Sequence, residues 1–199
     1  MTIMNTQAMK QTLRQSIIAA RLKMPGAERA VLSAEIARRI AALEAYRRAV
    51  TVLGYMNFGA EFESALWVRQ ALADGKRVLL PRVNRATNEL DVYRVTDLQH
   101  DVAPGLWDIP EPLPERCTAA KPEEAEFILL PGVAFGRDGA RLGYGGGFYD
   151  KLLARLTQRP TLAAAAFAMQ VVADIPMEAT DQRVDWLVTE SETIRCGTN

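Results

Sequence analysis

Residues 127–151 read FILLPGVAFGRDGARLGYGGGFYDK, which is an apolar run followed by a glycine-rich loop. The apolar residues at 127–130 predict a buried strand. The loop leads into a predicted helix over residues 148–156. A buried strand, a loop and a helix in this order form a unit of an α/β sheet, and ligands of such sheets lie at the carboxyl ends of the strands. The loop after Leu130 is therefore the first candidate site.

Short apolar strands and amphipathic helices also alternate on both sides of this unit. One helix is predicted where Met9, Leu13 and Ile17 recur at helical spacing. A second is predicted where Leu32, Ile36 and Ile40 recur at this spacing, and it also carries Arg47 and Arg48. A third is predicted over residues 63–74. Strands are predicted over residues 49–55, 77–80 (ended by Pro81), 90–95 (an edge strand), 161–167 and 184–189. Residues 103–122 hold five of the ten prolines and predict a long loop or flap. We expect one α/β domain over residues 1–199, with a mostly parallel sheet and helices on both faces.

The composition excludes several classes of protein. Of the 199 residues, 49% are hydrophobic and 24% are charged, which is typical of a globular domain. The 24 basic and 24 acidic residues balance, so we expect no nucleic-acid partner. The apolar run at 162–169 is far shorter than the roughly 20 residues of a membrane span, and residues 1–14 lack the apolar segment of a secretory signal. Cys117, Cys196 and the single His100 make no zinc site, and such sparse cysteines suit the reducing cytoplasm.

The glycine-rich loop carries residue types that bind phosphate. Gly143, Gly145, Gly146 and Gly147 can turn their backbone N–H groups toward one point, and the guanidinium of Arg141 just before them can grip phosphate oxygens. The loop has neither the Gly-Lys-Ser/Thr of a Walker A motif nor the GxGxxG spacing of a dinucleotide fold. The alternative is a glycine-rich hairpin or flexible loop without a ligand.

Two carboxylates and two cations could act beside a phosphate. Asp150, at the start of the helix after the loop, either compensates the helix dipole or binds Mg²⁺. Asp181 precedes a predicted strand and is either a turn residue or a second Mg²⁺ ligand. Lys10 and Arg14 stand one helical turn apart, either as a surface pair or as cations for a polyphosphate.

Three further residues are candidates for contact with a substrate. Met56 and Glu61 follow the first predicted strand, where packing of the methionine and solvation of the glutamate are the alternatives. Trp107 lies on the proline-rich flap and is either a packing anchor or a stacking surface for a flat ligand. No serine lies in a GxSxG turn, so a hydrolase triad is not expected.

The order of these motifs resembles that of a known family. Residues 131–135 (PGVAF) followed by Gly139, and then residues 141–150, are similar to the signature of the 5-formyltetrahydrofolate cyclo-ligases, also called 5,10-methenyltetrahydrofolate synthetases. The likeness also covers Lys10, Arg14 and residues 55–64, 75–82, 107–112, 170–172 and 181–190. The chain departs from the family pattern at Gly136, where Asp is usual, at Phe148, where Tyr is frequent, and at Lys151, where Arg is frequent.

The resemblance implies ATP- and Mg²⁺-dependent closure of 5-formyltetrahydrofolate to 5,10-methenyltetrahydrofolate, with release of ADP and phosphate through a phosphorylated formyl intermediate. The partners would be these small molecules, and we expect a cytoplasmic monomer that binds neither nucleic acid nor membrane. The implied ATP-binding residues are Lys10, Arg14, Arg141, Gly143, Tyr144, Gly145, Gly146, Gly147, Phe148 and Tyr149. The implied catalytic residues are Arg141, Tyr149 and Glu61. The implied substrate-binding residues are Met56, Glu61 and Tyr149, to which we add Trp107 as an aromatic on the folate side, and the implied metal ligands are Asp150 and Asp181.

Two other classes of protein remain open at this point. A related α/β scaffold would also suit a sugar-phosphate isomerase or an acyl-CoA transferase, and turnover without a nucleotide would favour that class. A non-catalytic binder of folate or nucleotide would show affinity without product, although a binder has less need for two metal carboxylates.

Overall fold

Short strands and helices alternate along the chain in the structure, a computed structural model that describes residues 6–178 and 181–197. The α-helices are α1 (Thr6–Leu22), α2 (Gly26–Ala42), α3 (Glu44–Arg48), α4 (Ser64–Ala73) and α5 (Phe148–Ala154). The strands are β1 (Thr51–Leu53), β2 (Arg77–Asn84), β3 (Glu89–Val95), β4 (Val102–Pro104), β5 (Pro110–Pro112), β6 (Thr118–Ala120), β7 (Phe127–Leu130), β8 (Ala134–Gly136), β9 (Arg141–Leu142), β10 (Thr161–Ala165), β11 (Val171–Val172), β12 (Trp186–Val188) and β13 (Thr193–Arg195). Within the two described ranges, every helix falls short of the length and apolarity that crossing a bilayer demands.

A mixed sheet of eight strands runs through the centre, in the order β13-β12-β10-β7-β1-β2-β3-β6. The central strands from β12 to β2 are parallel, whereas β13, β3 and β6 pair antiparallel at the two sides. Because parallel strands align their carboxyl ends, the chain leaves β1 after Leu53 and β7 after Leu130 at the same edge of the sheet. The predicted α/β class with a mostly parallel sheet is confirmed.

Helices cover both faces of this sheet, as β7 shows most directly. Phe127 and Leu129 pack into the core beneath α2, α3 and α4, whereas Ile128 and Leu130 pack toward α5 on the other face. All four side chains have no exposed surface. Burial on both faces explains why this strand is a continuous apolar run instead of an alternating one.

The first helix lies apart from the two main layers. α1 packs against a small second sheet in the order β11-β8-β9, with Leu13 and Ile17 beside Ala134 and Leu142. Because β9 leads directly into the glycine-rich loop, this packing places α1 next to that loop.

Several predicted elements are one or two residues too long at an end, and two boundaries are wrong by more than that. The second helix does not reach Arg48, because α2 ends at Ala42 and Leu43 is extended (φ −63°, ψ 129°), so that Arg47 and Arg48 lie on α3. β2 passes through Pro81 and continues to Asn84. The carbonyl of Leu79 bonds to Gly54 on the β1 side, so the nitrogen of Pro81, two residues on, faces the same side. β1 has ended there, and no N–H is needed.

The predicted flap over residues 103–122 is largely structured, and this changes the place of β3. β4 and β5 form a hairpin with Trp107 in its turn, and β6 pairs with β3. β3 therefore lies inside the sheet, and the edge position that was predicted for β3 is occupied by β6. The short strands β8, β9, β11 and β13 were not predicted, because two or three residues carry too little periodicity to be recognised.

Candidate active site

A cavity of about 910 Å³ lies at the carboxyl ends of β1 and β7, bounded by α1, the β4–β5 hairpin and the glycine-rich loop. All of the candidate site residues predicted from the sequence line it: Lys10, Arg14, Met56, Glu61, Trp107, Arg141, Gly143, Tyr144, Gly145, Gly146, Gly147, Phe148, Tyr149, Asp150 and Asp181. The fold thus brings side chains from α1 and from the region before β12 to the loop between β9 and α5. Tyr55, Phe58 and Glu111 also line the cavity and were not predicted.

The glycine-rich loop presents backbone donors to this cavity. Its backbone is left-handed at Gly145 (φ 101°) and Gly147 (φ 66°), a conformation that residues with a side chain rarely adopt. Among the described residues, the N–H groups of residues 143–147 donate to no protein acceptor. A row of free backbone donors along a cavity wall is suited to an anionic ligand.

An ion pair closes the loop at its two ends. Arg141 Nη2 donates to Asp150 Oδ1 at 2.6 Å, and Arg141 Nη1 donates to the carbonyl oxygen of Pro131 at 3.2 Å. The Arg141 side chain is only 4% exposed, and its Nε has no partner within the described part of the chain. A buried guanidinium with a spare donor beside free N–H groups strengthens the case for an anion site.

Helix α1 brings two more cations to the same end of the cavity. Arg14 Nε donates to the carbonyl oxygen of Gly143 at 2.7 Å. Lys10 Nζ lies 2.6 Å from Asp181 Oδ2 and 3.2 Å from Glu178 Oε2. Burial disfavours the ammonium, but the bonds to the two carboxylates outweigh it and raise the pKa of Lys10. Burial likewise acts to raise the pKa of Asp181, and the hydrogen bond from Lys10 leads the effects that lower it overall.

The part of the cavity around Glu61, its carboxylate end, holds this buried carboxylate among aromatic rings. Glu61 is 4% exposed and accepts hydrogen bonds from the Phe58 N–H at 2.7 Å and from Tyr144 Oη at 2.6 Å. Burial raises the pKa of Glu61, although both donors act to lower it. Burial and the charge of Glu61 raise the pKa of Tyr149. This end can therefore offer hydrogen-bond acceptors to a largely apolar, N–H-bearing ligand.

Trp107 stands in the turn of the β4–β5 hairpin beside the cavity. The residue is 61% exposed, and its backbone is left-handed (φ 58°). This exposure contradicts the packing-anchor alternative and leaves the ring available as a flat surface.

Arg21 is a buried cation that the sequence reasoning missed. It is 3% exposed, and its Nη2 donates to Tyr144 Oη at 2.6 Å. Arg21 lies eleven residues after Lys10 and seven after Arg14, which are spacings of about three and two helical turns. That shared helix face is the signal that could have found it.

The two candidate metal ligands are each paired with a cation. Asp150 bonds to Arg141 and Asp181 to Lys10, and both carboxylates line the cavity. The described residues contain no cluster of three or more His, Cys, Asp and Glu side chains placed to hold a metal. The donor set fits Mg²⁺, which commonly uses one or two carboxylates and takes its other ligands from phosphate and water.

Comparisons with known proteins agree with one another. The model of the 5-formyltetrahydrofolate cyclo-ligase family matches residues 6–190. A Mus musculus protein named 5-formyltetrahydrofolate cyclo-ligase is 26% identical over 198 residues, covering 96% of this chain and 98% of that protein. A Caenorhabditis elegans protein named probable 5-formyltetrahydrofolate cyclo-ligase is 31% identical over 149 residues, covering 70% and 72%. The NMR structure of Aquifex aeolicus 5,10-methenyltetrahydrofolate synthetase matches with a TM-score of 0.83 and 31% identity, covering 96% of this chain and 94% of that one.

We predict that the buried pair of Lys10 and Asp181 stabilises the fold. A double-mutant cycle of Lys10→Met and Asp181→Asn should give a coupling energy of about 1–3 kcal/mol in urea unfolding at pH 7, because the two side chains are only 5% and 19% exposed. The pKa of Asp181 is lowered in the fold, so its contribution is present above the ordinary value of 3.8 and is lost as the pH falls below that value.

The exposed pair of Arg48 and Glu44 on α3 is the matched control for this cycle. Its side chains are 80% and 74% exposed, and Arg48→Met with Glu44→Gln should give no more than about 0.5 kcal/mol. A coupling of Lys10 with Asp181 no larger than this control would contradict the account of the buried pair.

Proposed function

Because the chain belongs to the 5-formyltetrahydrofolate cyclo-ligase family, we propose that it converts 5-formyltetrahydrofolate and ATP, with Mg²⁺, into 5,10-methenyltetrahydrofolate, ADP and phosphate. The observation that carries the proposal is that one cavity is lined by two chemically different groups of residues. One group has cations and free backbone donors for a polyphosphate, and the other has a buried carboxylate and aromatic rings for a folate. A reaction between ATP and a folate requires the two substrates to bind next to each other in one cavity.

The chemistry explains why the two substrates must lie together. A formyl oxygen bound to a carbon next to nitrogen is a poor leaving group. Attack of this oxygen on the γ-phosphorus of ATP breaks the bond to ADP and gives an imidate phosphate. N10 of the folate then attacks the activated carbon and gives up its proton to solvent, and the C–O bond breaks as phosphate leaves and the ring closes.

Positioning and neutralisation of charge are the main contributions of the protein to such a transfer. Arg141 and the N–H groups of residues 143–147 would hold the γ-phosphoryl group, and Lys10 and Arg14 would hold the other phosphates. Tyr144 and Phe148 belong to the same wall of the cavity. The charges of both Glu61 and Arg141 act on Tyr149, and we assign this residue to both substrates.

Asp150 and Asp181 would hold Mg²⁺ together with phosphate oxygens and water. The ion would supply positive charge to the oxygens around the transferred phosphorus. Each carboxylate already has a cation beside it, Arg141 for Asp150 and Lys10 for Asp181. Those ion pairs fix the carboxylates in place and keep the phosphate end from carrying an excess of negative charge.

The folate would occupy the end of the cavity that holds Met56 and Glu61. The buried carboxylate of Glu61 would accept N–H groups of the heterocycle, and the exposed ring of Trp107 would stack on the flat part of the substrate. Glu61 would thereby set the distance between the formyl oxygen and the γ-phosphorus.

We extend the proposal to the form in which the protein works. It would act as a single domain over residues 1–199, as a monomer, in the cytoplasm. The continuous sheet from β1 to β13 supports a single domain, and two cysteines without a disulfide partner in the described residues suit a reducing compartment.

A requirement for ATP in turnover would distinguish the proposed activity from that of an isomerase or a transferase. Formation of product would distinguish an enzyme from a binder of folate or nucleotide.

We predict that the formyl oxygen of the substrate leaves in the phosphate. Substrate labelled with ¹⁸O in the formyl group should yield phosphate with one ¹⁸O atom per turnover, seen as an isotope shift in its ³¹P NMR signal. Unlabelled phosphate from labelled substrate would exclude the phosphorylated formyl intermediate.

We also predict that Arg141→Ala lowers kcat by about 10²-fold or more, because it removes a buried donor from the transferred phosphoryl group. Arg137→Ala is the matched control, since Arg137 is exposed, pairs with Glu192 and does not line the cavity. The control should keep nearly full activity. Thermal unfolding of both variants checks the fold, and a folded Arg141→Ala enzyme with normal turnover would remove Arg141 from the mechanism.

A further inference from the structure

A chain of three side chains links α1 to the folate end of the cavity. Arg21 Nη2 donates to Tyr144 Oη at 2.6 Å, and Tyr144 Oη donates to Glu61 Oε1 at 2.6 Å. The other carboxylate oxygen, Glu61 Oε2, accepts the Phe58 N–H at 2.7 Å. Both oxygens of Glu61 thus accept hydrogen bonds, and the hydroxyl that donates to one of them itself accepts a hydrogen bond from the Arg21 guanidinium.

Arg21 is an unusual residue on the buried side of a helix. It is 3% exposed, and its Nε and Nη1 are buried without a partner among the described residues. Burial of a charged group is unfavourable unless the group is paired, so a guanidinium with two idle donors does not serve stability alone. Arg21 does not line the cavity, so any effect on a ligand must pass through the residues it touches.

The surroundings of Glu61 explain what such a cation would do there. Tyr144 donates to the carboxylate, burial and the charge of Glu61 raise the pKa of Tyr55 and Tyr149, and the charge of Arg21 acts to lower the pKa of Glu61. Burial among these rings raises the pKa of Glu61, whereas the two donors and the charge of Arg21 lower it. The hydrogen bond from Tyr144, with Arg21 behind it, therefore opposes the effect of burial on the pKa of Glu61.

We propose that Arg21 is a positioning residue that acts through Tyr144 to hold the Glu61 carboxylate in the orientation in which it meets the folate. The inference rests on the proposed function. It also gives Tyr144 a role distinct from ATP binding, because its hydroxyl is directed to Glu61 and not to the phosphate end.

The same contacts join the two ends of the cavity mechanically. Arg14 bonds to the carbonyl of Gly143 and Arg21 bonds to the hydroxyl of Tyr144, so α1 holds two consecutive residues of the loop. Lys10, Arg14 and Arg21 lie on one face of α1. One rigid helix thus sets the position of the phosphate end and of Glu61 together.

The experiment compares Tyr144→Phe and Arg21→Met with the wild-type enzyme. Carboxyl ¹³C NMR of glutamate-labelled protein, with Glu61 assigned by Glu61→Gln, measures the titration midpoint of Glu61 without any substrate. Tyr144→Phe should raise the midpoint by about one unit, a tenfold change in proton affinity, because the ionised form loses a donor. Arg21→Met should raise it as well, and should add less in the Tyr144→Phe background than alone, because it acts through Tyr144.

Activity assays connect this shift to the reaction. In each variant, the acid limb of kcat/KM for 5-formyltetrahydrofolate should move to higher pH by as much as the Glu61 midpoint of that variant moves. Tyr93→Phe on β3 is the matched control, since Tyr93 lies outside the cavity, and it should leave both the midpoint and the profile unchanged.

Each outcome bears on a different claim. A Glu61 midpoint that does not move in Tyr144→Phe, or a moved midpoint with an unchanged folate profile, overturns the role of Arg21 and Tyr144. A wild-type enzyme that turns over no folate overturns the proposed function instead, and the NMR titration tells the two failures apart.

Discussion

The ion pair between Arg141 and Asp150 joins the two ends of the glycine-rich loop at 2.6 Å, and the rest of the site depends on it. A loop with four glycines has much backbone entropy to lose when it is ordered. The Arg141–Asp150 pair closes the loop, and the bond from Arg14 to the carbonyl of Gly143 fixes its middle. The N–H groups of residues 143–147 donate to no acceptor in the described part of the chain and line the cavity, where they are candidate donors to a phosphate.

The central sheet and α1 make these contacts possible from two sides. The parallel strands deliver the loop and Glu61 to the same edge, and α1 reaches that edge from outside by packing Leu13 and Ile17 on the small second sheet. The helix then directs its cations inward, although a charged helix face normally points to water. The phosphate end and the carboxylate end therefore share one support, and their separation is set by the fold and not by the ligands.

Much of the fold could be predicted because its strongest signals are local. Residues 127–130 form a strand with the predicted bounds, since burial on both faces leaves an unbroken apolar run. The course of β2 beyond Pro81 and the hairpin over residues 102–112 depend on which strands lie alongside, which no local pattern reports. The same division holds for the site. Motif residues of the loop were found. Arg21 was missed although it shares a helix face with Lys10 and Arg14, because its burial beside Tyr144 is visible only in the tertiary structure.

The central claim is that residues 141–150 hold the terminal phosphate of ATP within reach of the folate. The most direct measurement is a crystal structure of the enzyme with Mg²⁺, a non-hydrolysable ATP analogue and 5-formyltetrahydrofolate. The account predicts that the γ-phosphate accepts hydrogen bonds from the N–H groups of residues 143–147 and from Arg141, with the formyl oxygen facing it. A γ-phosphate bound away from this loop, or a folate outside the end that holds Glu61, would contradict the account.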